Sequence, residues 1–236
     1  MILSENKQRM IYSIYHNNAR YIKGPAEASR FRAIMEAMSI VDRSFFVPKQ
    51  FQKECYEDNP LPIGYNATIS QPTTVARMLF LANIKKGNSV LEIGSGSGWN
   101  ASLIAYLAES KIVSIERVKI LSLLAKKNFE NFKKISKSNK AKKMEIGFVF
   151  GDALNRKEEI WKKKYDRIIL TAGVSDDFLQ EIRKMGIKLL NENGLLVFPR
   201  QDASGSMEVW AKKKGKLVGV FRERGYAFVP LTKGKI

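Results

Sequence analysis

The sequence predicts an α/β fold: a doubly wound, mostly parallel sheet, preceded by an N-terminal helical extension and closed by a C-terminal antiparallel hairpin. Three observations predict it. Five short apolar segments alternate with helical patterns between residues 89 and 199. The first of them runs into a glycine-rich turn, "VLEIGSGSGWN". The final stretch, "SMEVWAKKKGKLVGVFRERGYAFVPL", reads strand, Lys/Gly turn, strand.

Residues 1–58 read as the helical and irregular extension. Within them Ala26–Val41 carries apolar residues at helical spacing, at Phe31, Ile34, Met35 and Met38. Pro48 in "FFVPKQF" breaks that pattern. Residues 59–72 are punctuated by Pro and Gly and read as loop. "PTTVARMLFLANI" resumes as helix, with Pro72 near the first turn, where a missing N–H costs little. Strands are expected at Ser89–Ile93, Ile112–Ile115, Ile146–Phe150, Asp166–Leu170 and Gly194–Pro199, and helices at Trp99–Ala108, Lys119–Phe132 and Asp176–Leu190. Short apolar strands separated by helices imply crossover connections and a parallel sheet. No internal repeat or low-complexity linker interrupts the chain. Residues 1–236 are therefore expected as a single domain, with the substrate loop and cofactor-binding core in residues 59–236.

Composition narrows the classes. The chain has 236 residues, 44% of them hydrophobic, so a sizeable core is expected and global disorder is not. No apolar run approaches the length of a membrane span. "MILSENKQRMIYSIYHNNAR" holds no apolar signal-peptide core. Cys55 is the only cysteine, which excludes an internal disulfide and fits a cytoplasmic protein. His16 is the only histidine, so neither a His/Cys metal cluster nor a His-dependent triad is expected. The formal net charge is +18. Residues 126–143, "KKNFENFKKISKSNKAKK", hold eight lysines and one acid, and Lys162–Lys164 and Lys212–Lys214 follow. A solvated helix and loop is the preferred reading of these runs. A nucleic-acid surface is the alternative.

The glycine turn carries the first chemical signal. Gly94, Gly96 and Gly98 follow an apolar strand and precede a helix. Glycines there let the backbone turn tightly and approach a ligand. The spacing is not the dinucleotide fingerprint, because Trp99 stands at its third glycine position. The acid-x-G-x-G-x-G order, led by Glu92 and passing through Ser95, is typical of Rossmann-like S-adenosylmethionine-dependent methyltransferases. The next strand ends in Glu116, 22 residues after Gly94. A carboxylate there can accept from both ribose hydroxyls. The third strand ends in "FGDAL", which sets Asp152 over the adenine.

These segments resemble a known family, protein-L-isoaspartate (D-aspartate) O-methyltransferase, from about Arg43 to Thr232. The resemblance rests on "DRSFFVP", "NPLPIGYNATISQPTTVARM", "VLEIGSGSGWNASLIAYLA", "FGDAL", "YDRIILTAG", "NENGLLVFPR" and "FVPLT". It implies S-adenosylmethionine as methyl donor, S-adenosyl-L-homocysteine as product, no metal, and damaged peptides and proteins bearing isoaspartyl residues as partners. It implies that Ser70 is the active-site serine. It implies cofactor contacts at Ala67, Thr68, Ile69, Gly94, Glu116, Asp152, Ala153 and Thr232. Four features depart from the family: Ala153 in place of a second glycine, Asp176 and Asp177 in "TAGVSDD", Asn66 in "GYNAT", and the charge of +18.

A carboxylate nucleophile has a reference pKa of roughly 4 and is ionised at neutral pH. Its attack on a sulfonium methyl needs no general base. Ser70 and Thr68 are therefore expected to orient the substrate carboxylate by hydrogen bonding, without the neutralising charge of a Lys or Arg. Helix capping is the competing role for Ser70. "GYAFVPLT", with Val229, is expected to offer the peptide a backbone edge. A monomer is expected. The rival readings are an RNA methyltransferase on the same fold, a non-catalytic homologue, and a carboxyl methyltransferase with a specialised substrate. No Asn/Asp-Pro-Pro-aromatic motif for holding a flipped base supports the first of these.

Overall fold

The computed structural model describes residues 4–236. The first three residues of the expected extension lie outside the described residues. Two helices open the chain, α1 (Glu5–Asn18) and α2 (Pro25–Ile40), and α2 begins on a proline, which lacks an N–H at a position where no helix bond needs one. Met10, Ile14, Phe31, Ile34 and Met38 bury their faces in the core that also takes up the helices following the next hairpin.

Residues 59–72, expected as loop, form a hairpin instead. β1 (Leu61–Gly64) pairs antiparallel with β2 (Ala67–Ile69). The two connecting residues, Tyr65 and Asn66, have φ of 54° and 56°. A turn with both central residues in the left-handed region matches the twist of paired strands. Asn enters that region more readily than most non-glycine residues, which accounts for Asn66. Leu61, Ile63 and Ile69 are buried and pin the hairpin to the core. Pro62 and Gly64 alternate with them on the exposed side, so the residues that suggested loop are only the outer face of β1.

α3 (Pro72–Ala82) then leads into the main sheet. Its elements are β3 (Val90–Ile93), α4 (Trp99–Ala108), β4 (Ile112–Glu116), α5 (Lys119–Ile135), the short α6 (Asn139–Lys142), β5 (Ile146–Phe150), β6 (Tyr165–Leu170), α7 (Asp176–Leu189), β7 (Leu190–Arg200), β8 (Ser206–Lys213) and β9 (Lys216–Arg224). The strand order is β5-β4-β3-β6-β7-β8-β9. The first five strands in that order are parallel; β8 and β9 are antiparallel, as the terminal hairpin predicts. β7 starts at Leu190, ahead of the expected Gly194, because α7 passes into it without a loop.

The chain builds outward from β3 to β4 and β5, then returns so that β6 pairs with the other side of β3. Ligands of open α/β sheets sit at the carboxyl ends of the strands beside such a reversal. Side chains alternate across the sheet. Val90, Ile169 and Val197 join the core shared with α1–α6, whereas Leu91, Ile168, Leu170, Leu196 and Phe198 join the core beneath α7. Both faces are covered, which explains why the strands read as continuous apolar runs. Among the described residues no helix is long and apolar enough to cross a membrane.

Candidate active site

The glycine turn forms the floor of a cleft of about 330 Å³. Gly94, Gly96 and Gly98 have φ of 98°, 51° and 87°, values that side chains disfavour. A Cβ on Gly94 would collide with Thr171 Oγ1, whose hydroxyl donates to Gly94 O at 2.8 Å. A Cβ on Gly98 would lie 2.8 Å from Ala125 O of α5. Gly98 therefore serves the packing of α4 on α5, and it does not line the cleft. A Cβ on Gly96 would lie 3.4 Å from Ile63 Cδ1 and 4.0 Å from Thr68 O, so the β1–β2 hairpin approaches the turn there.

Two carboxylates stand at the next strand ends. Glu116 accepts from Gly96 N at 3.0 Å and from Val118 N at 3.0 Å, one bond on each oxygen. Asp152 accepts from Leu154 N at 2.9 Å and from Gly234 N at 2.8 Å, again one on each oxygen. Each oxygen keeps a second lone pair, and both residues line the cleft. Ala153 lies outside the left-handed region, so the exchange of glycine for alanine costs the backbone nothing. Arg117 Nε donates to Gly234 O at 2.8 Å, and Lys119 N to Ile236 O at 2.8 Å, which draws the terminal residues beside the two carboxylates.

Glu92 differs from its expected role as a cofactor contact. It is wholly buried and is not part of the cleft lining. Asn100 Nδ2 donates to it at 2.8 Å, and the Ser114 hydroxyl bonds its other oxygen. Burial pushes its pKa up to about 8, with a smaller push from Glu116 against the pull of those two hydrogen bonds. It braces the turn from below.

The wall opposite the turn is the hairpin. Ala67, Thr68, Ile69 and Ser70 line the cleft. The hydroxyls of Thr68 and Ser70 have no hydrogen-bond partner among the described residues. The competing role for Ser70, helix capping, is not seen: the residue flanking α3 is Gln71, and the cap comes from Asp58. Asp58 accepts from Thr73 N at 2.8 Å, from Thr73 Oγ1 at 2.6 Å and from Gln71 Nε2 at 3.2 Å. Ser70 is instead held by its carbonyl, which accepts from Arg43 Nη2 at 3.2 Å. The Arg43 guanidinium is fully buried and also donates to the carbonyls of Cys55 (2.8 Å), Glu57 (3.3 Å) and Asn59 (2.8 Å). It sits 5.3 Å from the centre of the Trp99 ring. Burial lowers its pKa to about 10. No local pattern in the sequence announces this clamp, because its contacts reach 12 to 27 residues along the chain.

The last wall is residues 228–232. Gly173 N donates to Val229 O and Leu231 N to Gly173 O, both at 2.8 Å, so the segment lies along the loop after β6. Val229 and Thr232 line the cleft there. Asp176 pairs with Arg200, while Asp177 is exposed; neither lines the cleft. Of the residues expected at the site, all but Glu92 and Gly98 line one cleft. Asn100, Leu154, Thr171, Phe228 and Ile236 line it too, and were not anticipated. His16 lies outside it, at the end of α1. Among the described residues no cluster of His, Cys, Asp or Glu is arranged to hold a metal.

The chain is similar to known proteins over most of its length. The family profile "Protein-L-isoaspartate(D-aspartate) O-methyltransferase" matches residues 24–236. A Pyrococcus abyssi protein-L-isoaspartate O-methyltransferase is 35% identical over 204 residues, 84% of this chain and 85% of that one. A relative of the same name from Thermococcus onnurineus is 35% identical over 208 residues, 86% of each chain. Among solved structures, a Plasmodium falciparum protein described as a protein-L-isoaspartate O-methyltransferase, in complex with S-adenosyl-L-homocysteine, superposes with a TM-score of 0.74. It is 25% identical and the match covers 94% of this chain and 98% of that one.

Proposed function

Because the chain belongs to the protein-L-isoaspartate(D-aspartate) O-methyltransferase family, we propose that its cleft holds S-adenosylmethionine along the glycine turn and a peptide carboxylate against the hairpin. The protein is an S-adenosylmethionine-dependent enzyme that methylates the side-chain carboxylate of L-isoaspartyl and D-aspartyl residues in damaged proteins. The observation that carries the residue assignment is the convergence of Ala67–Ser70, the turn at Gly94–Ser97 and Glu116 in one cleft.

The residues present fit the cofactor. Glu116, with a lone pair left on each oxygen, can accept from two ribose hydroxyls. Asp152 can accept from an adenine amine by the same reasoning, and Ala153 and Leu154 offer it an apolar edge. The glycine turn and the amino end of α4 leave room and donors for a carboxylate tail. When bound, S-adenosylmethionine supplies a sulfonium methyl that a carboxylate oxygen takes up, leaving a neutral ester and a neutral thioether.

What remains for the protein is aim. The nucleophile is already ionised at neutral pH, and no proton has to move. Ser70 and Thr68 would each donate to the substrate carboxylate and fix its direction without neutralising it. Among the described residues Arg117 is the one cation in the cleft lining, and its bond to Gly234 O keeps it at the end occupied by Glu116 and Asp152. Proximity of this kind is worth about 7–11 kcal/mol in well-oriented reactions. Val229, whose carbonyl is held by Gly173 N, would present the substrate peptide with a fixed backbone edge.

The test uses S-adenosylmethionine labelled in the methyl group, with matched aspartyl and isoaspartyl peptides and an RNA. Base-labile label on the isoaspartyl peptide alone is expected. Label on the RNA overturns the reading.

A further inference from the structure

The sheet separates the chain's charge by end. Six segments cluster at the amino ends of the parallel strands and in the β8–β9 turn: residues 83–89, 109–111, 133–145, 159–166, 187–194 and 212–216. Together they hold seventeen lysines and five acids, a net +12 of the total +18. The segments at the opposite end, around the cleft, are residues 57–73, 94–99, 116–119, 151–158, 171–177, 200–206 and 224–236. They hold eight cations and eight acids.

Contacts knit the basic segments into one face. Lys86 and Lys140 both pair with Glu109 at 2.9 Å, joining the approach to β3 with the approach to β5. Lys164 donates to Lys188 O at 2.5 Å, and Lys212 to Ile187 O and Leu190 O at 2.7 and 2.9 Å. Lys164, Lys188 and Lys212 thus crowd the end of α7. Slight desolvation, and then the charges of Lys212 and Lys188, push Lys164 below its ordinary value. The acids nearby are already engaged: Glu192 accepts from Lys214 N and Gly215 N, and Asp166 from Ser89 N and Asn191. Lys134, Lys137, Lys142 and Lys143 are exposed and form no ion pair among the described residues.

We propose that this amino-end face docks the phosphate backbone of duplex nucleic acid, without reading bases and away from the catalytic cleft. Phosphate contacts by lysine suffice for such sequence-independent binding. None of these segments presents an exposed aromatic ring, so single strands find no stacking platform. Exposed large apolar side chains there are limited to Ile135 and Ile187, too few to insert into a lipid surface.

The test is fluorescence anisotropy with labelled DNA and RNA duplexes of about 20 base pairs, between about 50 and 200 mM salt. Binding is expected to weaken at least about tenfold over that range, with no sequence preference. A Lys134→Glu/Lys137→Glu/Lys142→Glu/Lys143→Glu variant is expected to lose about tenfold or more at fixed salt. A Lys23→Glu/Arg32→Glu/Lys49→Glu/Lys53→Glu variant carries the same change in net charge on the N-terminal extension and should stay within about threefold. Both variants should methylate an isoaspartyl peptide as the parent does, and saturating duplex should leave the peptide KM unchanged. Preference for one of the two duplexes identifies the source of the backbone and supports the proposal. Equal losses in the two variants, competition between duplex and peptide, or binding to phosphatidylserine vesicles with none to either duplex would each overturn it.

Discussion

Ser70 is fixed through its backbone, and that separates its chemistry from its structural share. Arg43 holds its carbonyl, Asp58 caps the helix that follows, and the hydroxyl has no hydrogen-bond partner among the described residues. Ser70→Ala should therefore leave the melting temperature within about 1 °C of the parent, as a change outside any network does. An orienting hydrogen bond to a charged group is worth about 1.5–3 kcal/mol, so kcat should fall roughly 10- to 150-fold. S-adenosylhomocysteine affinity, read by calorimetry, should hold. A parallel loss of affinity and melting temperature would return Ser70 to a structural role. Glu92 is the reverse case, a residue with a structural share and no place in the cleft. Its folded pKa of about 8 lies above the ordinary 4.5. The fold thus favours the protonated form, and stability is lost as pH rises from about 4.5 towards 8. Glu92→Gln keeps the shape and stays neutral. It should match the parent near pH 4.5 and exceed it by about 1–3 kcal/mol above pH 8, several degrees in thermal melts. Unchanged melting at both pH values would show that the carboxyl is ionised in the fold. S-adenosylhomocysteine affinity should survive this change as well.

At the scale of elements, the site depends on how the β1–β2 hairpin meets the start of α3. Arg43 satisfies four carbonyls from inside the core; removing it strands them, at about 3–5 kcal/mol. Asp58 supplies one cap, worth about 1–2 kcal/mol. Thermal melts should therefore rank Arg43→Met as the most damaging, then Asp58→Ala, with Ser70→Ala nearly silent; a different order would mean that Ser70 is held in another way. This junction is also where reading the sequence fell short. The strands β3 to β7 and the glycine turn declare themselves locally, through apolar runs and spacing within a dozen residues. No local pattern marks Asn100, Thr171 or Ile236 as lining the cleft, whereas Ala67–Ser70, Gly94–Gly96, Glu116, Asp152 and Ala153 were legible there for the same reason, because they sit at strand ends and in short motifs. The hairpin was not, because each of its strands has four residues or fewer and Tyr65–Asn66 is not the usual Asn-Gly turn. Arg43 and Asp58 act on residues far along the chain, and only burial sets Glu92 beneath the turn, outside the cleft lining.

Across the whole molecule, the sheet holds the two kinds of surface apart. β4 has five residues, so its ends lie roughly 15 Å apart. The Debye length is only about 8–10 Å at 0.1–0.15 M ionic strength, so the exposed lysines at the amino end are largely screened at the cleft. The cleft end itself is balanced in charge. Methyl transfer to a peptide of no net charge should accordingly ignore salt: kcat/KM should change less than about threefold between 50 and 300 mM, a range over which steered association falls steeply. A steep fall would mean that the +18 acts on the substrate directly. The lysines at the far end would then belong to catalysis, through long-range attraction, and not to a separate face. A flat profile assigns them elsewhere, and the same protein then has one end shaped for a carboxylate that must stay charged and another where positive charge accumulates without neutralising it.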